Sequence, residues 1–457
     1  MEIKKELILP EVLCVIERLA KRQFTTFLVG GCIRDLLLGR PVRDWDIVCD
    51  AEMVQIKNLF RDYKMVIIGK SVLTVTLITN RTLIQISIFR YSHNNVFHRE
   101  GHNQNQQTIL KADLLKRDFT INAIAWHPET DILDPLGGID DLRRKIIRCK
   151  NPDLRILEDP LRMIRAIRIS SELGFTISDE TKQAIRTHAH LIQKIARERI
   201  QKEITLILRS VNPKEGILMM HRLGIDAYVI KPVAEGRAIF SKSEKNRQYL
   251  SKVKEWSYCL AVQLALWGRF CFDSFWEIRS YFFPSICQLK FNKNTLQALQ
   301  VLLRQAWQDL DFSSSLKIRY SLSRYGYNMT RILFSLKKST LEIQEKKERL
   351  SLLANEELHF EEELQKNNPV NLRDLAINGY DLLGIGYSSG KEIGQILNTL
   401  LSEVLKNPDL NHKITLLRLA QNFQKRPKTI FVFAITKIVA VFYGRIVCSD
   451  NKMRRVS

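Results

Sequence analysis

The chain has 457 residues, 45% of them hydrophobic; a single core stops growing near ~250–300 residues, so two or more structural units are expected. Its 71 Lys and Arg against 49 Asp and Glu give a formal net charge of +22, an excess that points either to an anionic partner (nucleic acid, nucleotide or an anionic membrane surface) or to a solubility device. Eight cysteines with no CxxC pairing exclude a disulfide scaffold and read as buried small hydrophobes in a reducing compartment, while the opening MEIKKELILPEV is neither a secretory signal nor a good transit peptide, so a cytoplasmic location is expected.

Residues 3–20 carry apolar positions at helical spacing. TTFLVGG predicts a short strand ending at Gly30 and Gly31, CIRDLLLG a helix stopped by Gly39, and WDIVC a second strand. A helix near 51–60 and strands near 63–68, 72–78 and 82–89 follow. The polar segment from Tyr91 to Thr108, with a single Gly, reads as a mobile loop. After it a helix begins near Lys111 and runs into RDFTINAIAW. This pattern predicts a small unit with a mixed sheet, ending near Lys145. From Leu154 onward strong strand patterning disappears and apolar residues recur every three or four positions. The region 335–365, charged on several faces, reads as one long, partly exposed helix, and a further unit starts near Asn371. The apolar stretch from Ile430 to Gly444 is shorter than the roughly 20 residues a membrane span wants. Lys437 interrupts it, so a core helix or buried strand is expected and no membrane partner.

The chemistry concentrates in VGGCIRDLLLGRPVRDWDIVCD. Two glycines at a strand end let the backbone approach a triphosphate, and amides at the helix start that follows, with Arg34, favour anions. Asp44 and Asp46 are two apart on a predicted strand, which puts both carboxylates on one face. Such a pair can hold Mg²⁺, a hard cation that wants oxygen ligands, or can simply face solvent.

In context these residues resemble the tRNA nucleotidyltransferase and bacterial poly(A) polymerase family, in the class typical of bacteria and mitochondria. The likeness begins at Leu28–Asp50, with GG-x-x-RD-x-LLG-R-x-x-x-D-x-D. It continues in order through LKRDFTINAIAW (Leu115–Trp126), DPLGGIDDLRRKIIR (Asp134–Arg148), ILEDPLRMIRAIRISSELGF (Ile156–Phe175) and ERIQKEI (Glu198–Ile204). It implies an α+β architecture: a small mixed-sheet nucleotidyltransferase head over 1–145, then an all-helical neck (146–210) selecting the nucleotide, body (211–365) and tail (366–457) gripping tRNA. It also implies Mg²⁺ as cofactor, ATP and CTP as substrates, and template-independent addition of C, C and A to the tRNA 3′ end.

Carried over by position, Asp44 and Asp46 are the metal-binding catalytic pair, and Gly30, Gly31 and Arg34 flank them. Arg117 and Asp118 belong to the segment that meets the ribose and triphosphate. Asp118 is placed to accept from a 2′-hydroxyl or to cap a helix before FTINA, and Asn122 supports the same pocket. Asp134, Gly137 and Gly138 match either a head–neck hinge or an ordinary turn. Glu158-Asp159-Pro160-Leu161-Arg162 resembles the nucleobase-reading motif. Asp159 supplies an acceptor and Arg162 a donor, matching the amine donor and ring-nitrogen acceptor that ATP and CTP both present. Arg162, Arg165 and Arg168 form one stripe, read either as base and phosphate contacts or as a solvated basic face. Glu198 and Arg199 match a motif that braces the neck. Farther on, Gly384, Gly386 and Gly390 surround a helix start at Lys391 in a segment like the tail of tRNA-specific members, able to meet an RNA phosphate or to serve as plain helix packing.

Two positions depart from the family pattern. A third acid is expected in the strand LIQISIFR, and Gln85 occupies its place. Lys116 stands where an arginine is usual, keeping the charge and losing the bidentate fork. Three functions follow: a CCA-adding enzyme, a poly(A) polymerase using ATP alone, or a catalytically impaired RNA-binding protein. The segment between Arg90 and Arg117 is full length for the family, against a CC-only enzyme. No HD-type metal cluster is evident, and oligomeric state is not legible.

Overall fold

The computed structural model describes residues 3–68, 74–80, 82–89, 106–230, 244–257, 259–272, 277–305, 311–343, 345–388 and 390–424. Of the loop expected from Tyr91 to Thr108, the part up to residue 105 lies outside them and the rest opens a helix; the stretch Ile430–Gly444 lies outside them as well. The chain forms two compact units, Met1–Leu296 and Gln297–Ser457.

The first unit opens with helix α1 (Pro10–Ala20), preceded by a single 3-10 turn. Proline at the first helical position explains why the helix starts there and not at residue 3. Strand β1 (Thr26–Val29) is buried along its whole length, as the unbroken apolar run TFLV requires of a central strand. Gly30 then takes φ 86°, a conformation that glycine alone adopts cheaply, and turns the chain into α2 (Gly31–Leu37); Gly39 at φ 64° lies just beyond that helix, as expected. Strand β2 (Asp44–Cys49), helix α3 (Met53–Leu59), and strands β3 (Lys64–Ile68), β4 (Thr74–Ile78) and β5 (Leu83–Ile88) follow the sequence reading closely.

The next segment corrects it. Helix α4 (Gln106–Leu115) stops before RDFTINAIAW, and that motif forms a 3-10 turn at Thr120–Asn122 followed by strand β6 (Ala125–His127), which turns back as β7 (Asp131–Leu133). Phe119, Ile121, Ala123, Ile124 and Ala125 are all buried, so a run enclosed on several sides shows no periodicity that separates helix from strand. The seven strands form one sheet in the order β3-β4-β5-β2-β1-β6-β7. All pairings are antiparallel except β2 with β5, which makes the sheet mixed. Leu110 and Leu114 of α4 pack with Phe27, Val29 and Val48 over one face of its centre.

Asp134 caps helix α5 (Gly138–Arg143): its carboxylate accepts from the amides of Gly138 at 2.7 Å and Ile139 at 2.8 Å. The backbone of Gly138 lies so close to the 3-10 turn that a Cβ would come within 2.3 Å of the Thr120 carbonyl oxygen. This geometry is a capped helix start built on a tight turn.

Among the described residues, the rest of the first unit is helical apart from turns and one short parallel pair, β8 (Ile146–Ile147) with β9 (Thr176–Ile177). Its leading elements are α6 (Pro152–Glu158), α7 (Leu161–Leu173), α8 (Asp179–His188) and α9 (Arg197–Leu208). Met163, Ile164, Ala166 and Ile167 of α7 are buried, which leaves Arg162, Arg165 and Arg168 on the remaining stripe. In the second unit, the expected single helix over 335–365 is instead a hairpin of Ser315–Ile343 and Lys347–Gln365. Its charges are cross-pairs, Lys337 with Glu356 at 2.7 Å and Lys338 with Glu357 at 2.8 Å, around a packed Phe312, Phe334 and Phe360 core. Farther on, Gly390 (φ 86°) caps the helix Lys391–Lys406, which starts where the sequence places it. Among the described residues no helix is long and apolar enough to cross a membrane, and the seven described cysteines are free thiols.

The contact at Gly138 predicts a specific sensitivity. Gly138→Ala should lower stability by about 2 kcal/mol through overpacking against a main-chain oxygen. Gly394→Ala, where a Cβ meets nothing within 4 Å inside a helix, should be neutral or stabilising. Thermal unfolding of the two variants beside the parent checks both signs.

Candidate active site

The sheet face that carries Val48 beneath α4 turns polar toward the start of β2, where Asp46 and then Asp44 project; Asp46 is half-buried and Asp44 exposed. The parallel register of β2 with β5 sets Gln85 directly beside Asp46. Asp44, Asp46 and Gln85 therefore share one face, while Trp45, Ile47, Ile84 and Ile86 bury the other. Two carboxylates with an amide carbonyl are hard oxygen donors, a set that suits a divalent cation of the magnesium type. No cluster of three His, Cys, Asp or Glu able to hold a metal occurs among the described residues, in keeping with glutamine at position 85.

Next to this face stands the turn at Gly30. A Cβ there would lie 3.1 Å from Oδ2 of Asp46 and 3.2 Å from Nη1 of Arg117. Only hydrogen fits comfortably between that carboxylate and that guanidinium. Arg117 is held from behind by the buried Asp113, whose Oδ2 accepts from Nε and Nη2 at 3.2 Å each.

Asp118 is held by three hydrogen bonds. Its Oδ1 accepts from the Phe119 amide at 2.9 Å and from Nδ2 of Asn122 at 3.0 Å, and its Oδ2 accepts from Nη1 of Arg165 at 3.1 Å. The 3-10 turn that follows is headed by Phe119, so Asp118 lies one residue short of the capping position. Burial alone would raise its carboxyl. The charge of Arg165 and the three hydrogen bonds outweigh that and hold it below the usual carboxylate range. Arg34 donates from Nη1 to Oδ1 of Asn122 at 2.8 Å, which fixes the amide so that its Nδ2 faces Asp118. Asp35 binds the other edge of Arg34 at 3.0 and 2.9 Å.

The α6–α7 segment supplies the opposite wall. Arg162 donates to the main-chain carbonyls of Arg155 at 3.0 Å and Lys116 at 2.9 Å, and to Glu158 at 3.4 Å. Three of its five guanidinium donors are thus engaged, and one of them ties α7 to the head. Asp159 accepts from the Leu161 amide at 3.3 Å and from Arg199 at 2.9 Å.

Gly30, Gly31, Asp46, Arg117, Asp118, Asn122, Asp159, Arg162 and Arg165 together line one open polar cavity of about 360 Å³. Residues from three separate sequence motifs thus converge on a space suited to an anionic, polar ligand. Asp44 and Gln85 belong to the neighbouring strand face and are not part of this lining. Arg34 and Arg168 stand behind it. Arg168 is caged by Glu203 at 2.7 Å and Glu172 at 2.8 Å, so its guanidinium supports the wall and does not form it.

Sequence reasoning passed over two buried carboxylates that hold the arginines. Asp113 lies four residues before Arg117, a spacing that brings side chains together around a helix end. Glu203, in ERIQKEI, is 5% exposed and also lies 3.7 Å from Arg165. A carboxylate at a core position of a helix was the available signal.

Two family models match the chain: the Poly A polymerase head domain over residues 26–148, and the probable RNA and SrmB-binding site of polymerase A over 174–235. The CCA-adding enzyme of Anoxybacillus flavithermus is 29% identical over 420 residues, 91% of this chain and 98% of its own. The CC-adding tRNA nucleotidyltransferase of Halalkalibacterium halodurans is 33% identical over 217 residues, 48% of this chain and 53% of its own. Among solved structures, the Bacillus stearothermophilus CCA-adding enzyme in complex with CTP superposes with a TM-score of 0.67 at 23% identity, covering 92% of this chain and 98% of that one.

The Asp118–Arg165 pair carries a pH signature. A depressed carboxyl contributes stability that is complete above its unfolded value, about 3.9, and lost as the pH falls through the folded value. Asp118→Asn should therefore lower unfolding free energy by about 3 kcal/mol at neutral pH. The gap to the parent should narrow as the pH drops below about 4. Urea unfolding across a pH series measures it.

Proposed function

We propose that this chain, a member of the tRNA nucleotidyltransferase and poly(A) polymerase family, adds C, C and A to the 3′ end of tRNA from CTP and ATP, without a nucleic acid template and with release of pyrophosphate. The observation that carries this reading is the polar cavity that gathers two turn glycines, one strand carboxylate, Asn122 and the arginines and carboxylates of head and neck. Coverage of nearly the whole length of a CCA-adding relative supports the complete activity.

In this reading the turn at Gly30 and Gly31 and the guanidinium of Arg117 receive the triphosphate, since main-chain amides and a fixed cation favour anions. Asp118, kept ionised, accepts from the ribose 2′-hydroxyl, and Asn122 holds it in place. Asp159 and Arg162 read the base edge, with Arg165 beside them. Arg34 and Arg168 act from behind, through Asn122 and Glu203. Asp44 and Asp46 hold Mg²⁺, with the Gln85 carbonyl as a neutral third donor. When bound there, such an ion lowers the pKa of an attacking hydroxyl and neutralises charge on phosphoryl oxygens. The functional parts are a head over 1–145, a neck over 146–210 that selects the nucleotide, a body over 211–365 and a tail over 366–457 that grips the tRNA. The enzyme works in the cytoplasm, and its +22 charge offsets the phosphates of its substrate.

Incubation with tRNA lacking its last three nucleotides, supplied with CTP, ATP or both, tests the assignment directly. Two C additions from CTP and one A from ATP are expected. Addition of C alone, or of a run of A from ATP alone, would replace the assignment with a CC-adding enzyme or a poly(A) polymerase. Asp46→Ala should abolish incorporation while tRNA affinity, read by filter binding, stays within about twofold, because phosphate contacts elsewhere dominate binding. Gln85→Glu should tighten Mn²⁺ binding by about tenfold through the added ligand charge, measured by electron paramagnetic resonance.

A further inference from the structure

Pro160 fixes where Asp159 stands. The residue ahead of a proline is pushed out of the helical region. Asp159, at φ −145° and ψ 95°, accordingly ends α6 just before α7 begins. This sets its main chain but leaves its side chain free to turn. Two bonds remove that freedom. The Leu161 amide reaches Oδ1 at 3.3 Å, and Nη2 of Arg199 reaches Oδ2 at 2.9 Å. The second is short and charge-assisted, the stronger kind. Each carboxylate oxygen has two acceptor sites, so Asp159 keeps capacity for a base amine while both bonds stand.

Arg199 comes from the first turn of α9 and is half-exposed, and it is not part of the cavity lining. It does not compete for the ligand; it holds the group that faces the ligand. What that achieves follows from the bases. Cytosine and adenine present an amine donor beside a ring-nitrogen acceptor. Uracil and guanine present a carbonyl acceptor beside a ring N–H donor, the same two features with donor and acceptor exchanged. A fixed acceptor at Asp159 beside a fixed donor at Arg162 matches the first pair and opposes the second. A carboxylate free to swing can follow the ring N–H and tolerate the wrong base.

We propose that Arg199 is a specificity-determining residue: by holding Oδ2 of Asp159 it keeps the acceptor where only an amine meets it, and so excludes UTP and GTP. It is a positioning residue, acting through Asp159, and the inference rests on the reading of Asp159 as the nucleobase acceptor.

The test compares CTP with UTP in the full-length protein, as single-turnover addition to tRNA lacking its last three nucleotides and as equilibrium binding by calorimetry, which reports the ratio independently of turnover. Arg199→Gln should raise UTP relative to CTP by about tenfold, the worth of one such hydrogen bond. Arg199→Lys, which keeps the charge, should recover most of the discrimination. Glu198→Ala, which breaks the exposed pair with Lys290 on the same turn of α9, should leave the ratio unchanged. Combined with Asp159→Asn, Arg199→Gln should add nothing further. If Asp159→Asn relaxes selection while Arg199→Gln weakens CTP and UTP equally, Arg199 only supports the fold and the inference is overturned. If Asp159→Asn itself leaves the ratio unaltered, the reading of Asp159 fails and the inference falls with it.

Discussion

The ion pair between Asp118 and Arg165 is the contact on which the site depends. Both groups are largely withdrawn from water, with side-chain exposures of 12% and 32%. Removing two charges from water is costly unless further hydrogen bonds complete them. The chain supplies these in sequence. Asp35 holds Arg34, Arg34 holds Asn122, and Asn122 with the Phe119 amide completes Asp118. On the other side Arg165 leans toward Glu203, Glu203 is held by Arg168, and Arg168 in turn by Glu172. The charges alternate along this series, so each member is stabilised by its neighbours. The cavity takes its shape from groups that are fixed before any ligand arrives, which is the condition for electrostatic preorganisation.

The strand face beside the cavity obeys a different constraint. Parallel pairing of β2 with β5 puts position 85 level with position 46, whatever residue occupies it. Glutamine there keeps an oxygen donor and removes a charge. The face carries three oxygen-bearing side chains and the charge of two carboxylates. Arg117 adjoins the same carboxylate across Gly30, so the turn admits no side chain without disturbing both.

Much of this was legible in the sequence where a local rule had no competitor. The apolar run of β1, its glycine exit, the helix stopped at Gly39 and the DxD strand each follow from short-range chemistry, and the structure has them at the expected positions. The segment RDFTINAIAW was misread because residues enclosed by α4, the sheet and α5 are apolar on every side. The hairpin of Ser315–Ile343 and Lys347–Gln365 was read as one helix because its break at Glu345 carries neither Gly nor Pro. The arginines at 117, 162 and 165 were visible, but their partners were not. Asp113, Glu203 and the carbonyl of Lys116 reach them through tertiary contacts that no spacing announces.

The separation of these partners along the chain limits modularity. Asp118 meets Arg165 at a distance of 47 residues, and Asp159 meets Arg199 at 40. A head ending at Arg148, where the polymerase head model stops, would carry Asp118 without its countercharge and Lys116 without the arginine that binds its carbonyl. The stretch recognisable as a head by sequence is therefore not a self-sufficient part. A graft or gene fusion that moved it to another protein would have to carry the chain through Glu203 to bring the countercharges of Asp118 and Arg165 along with them.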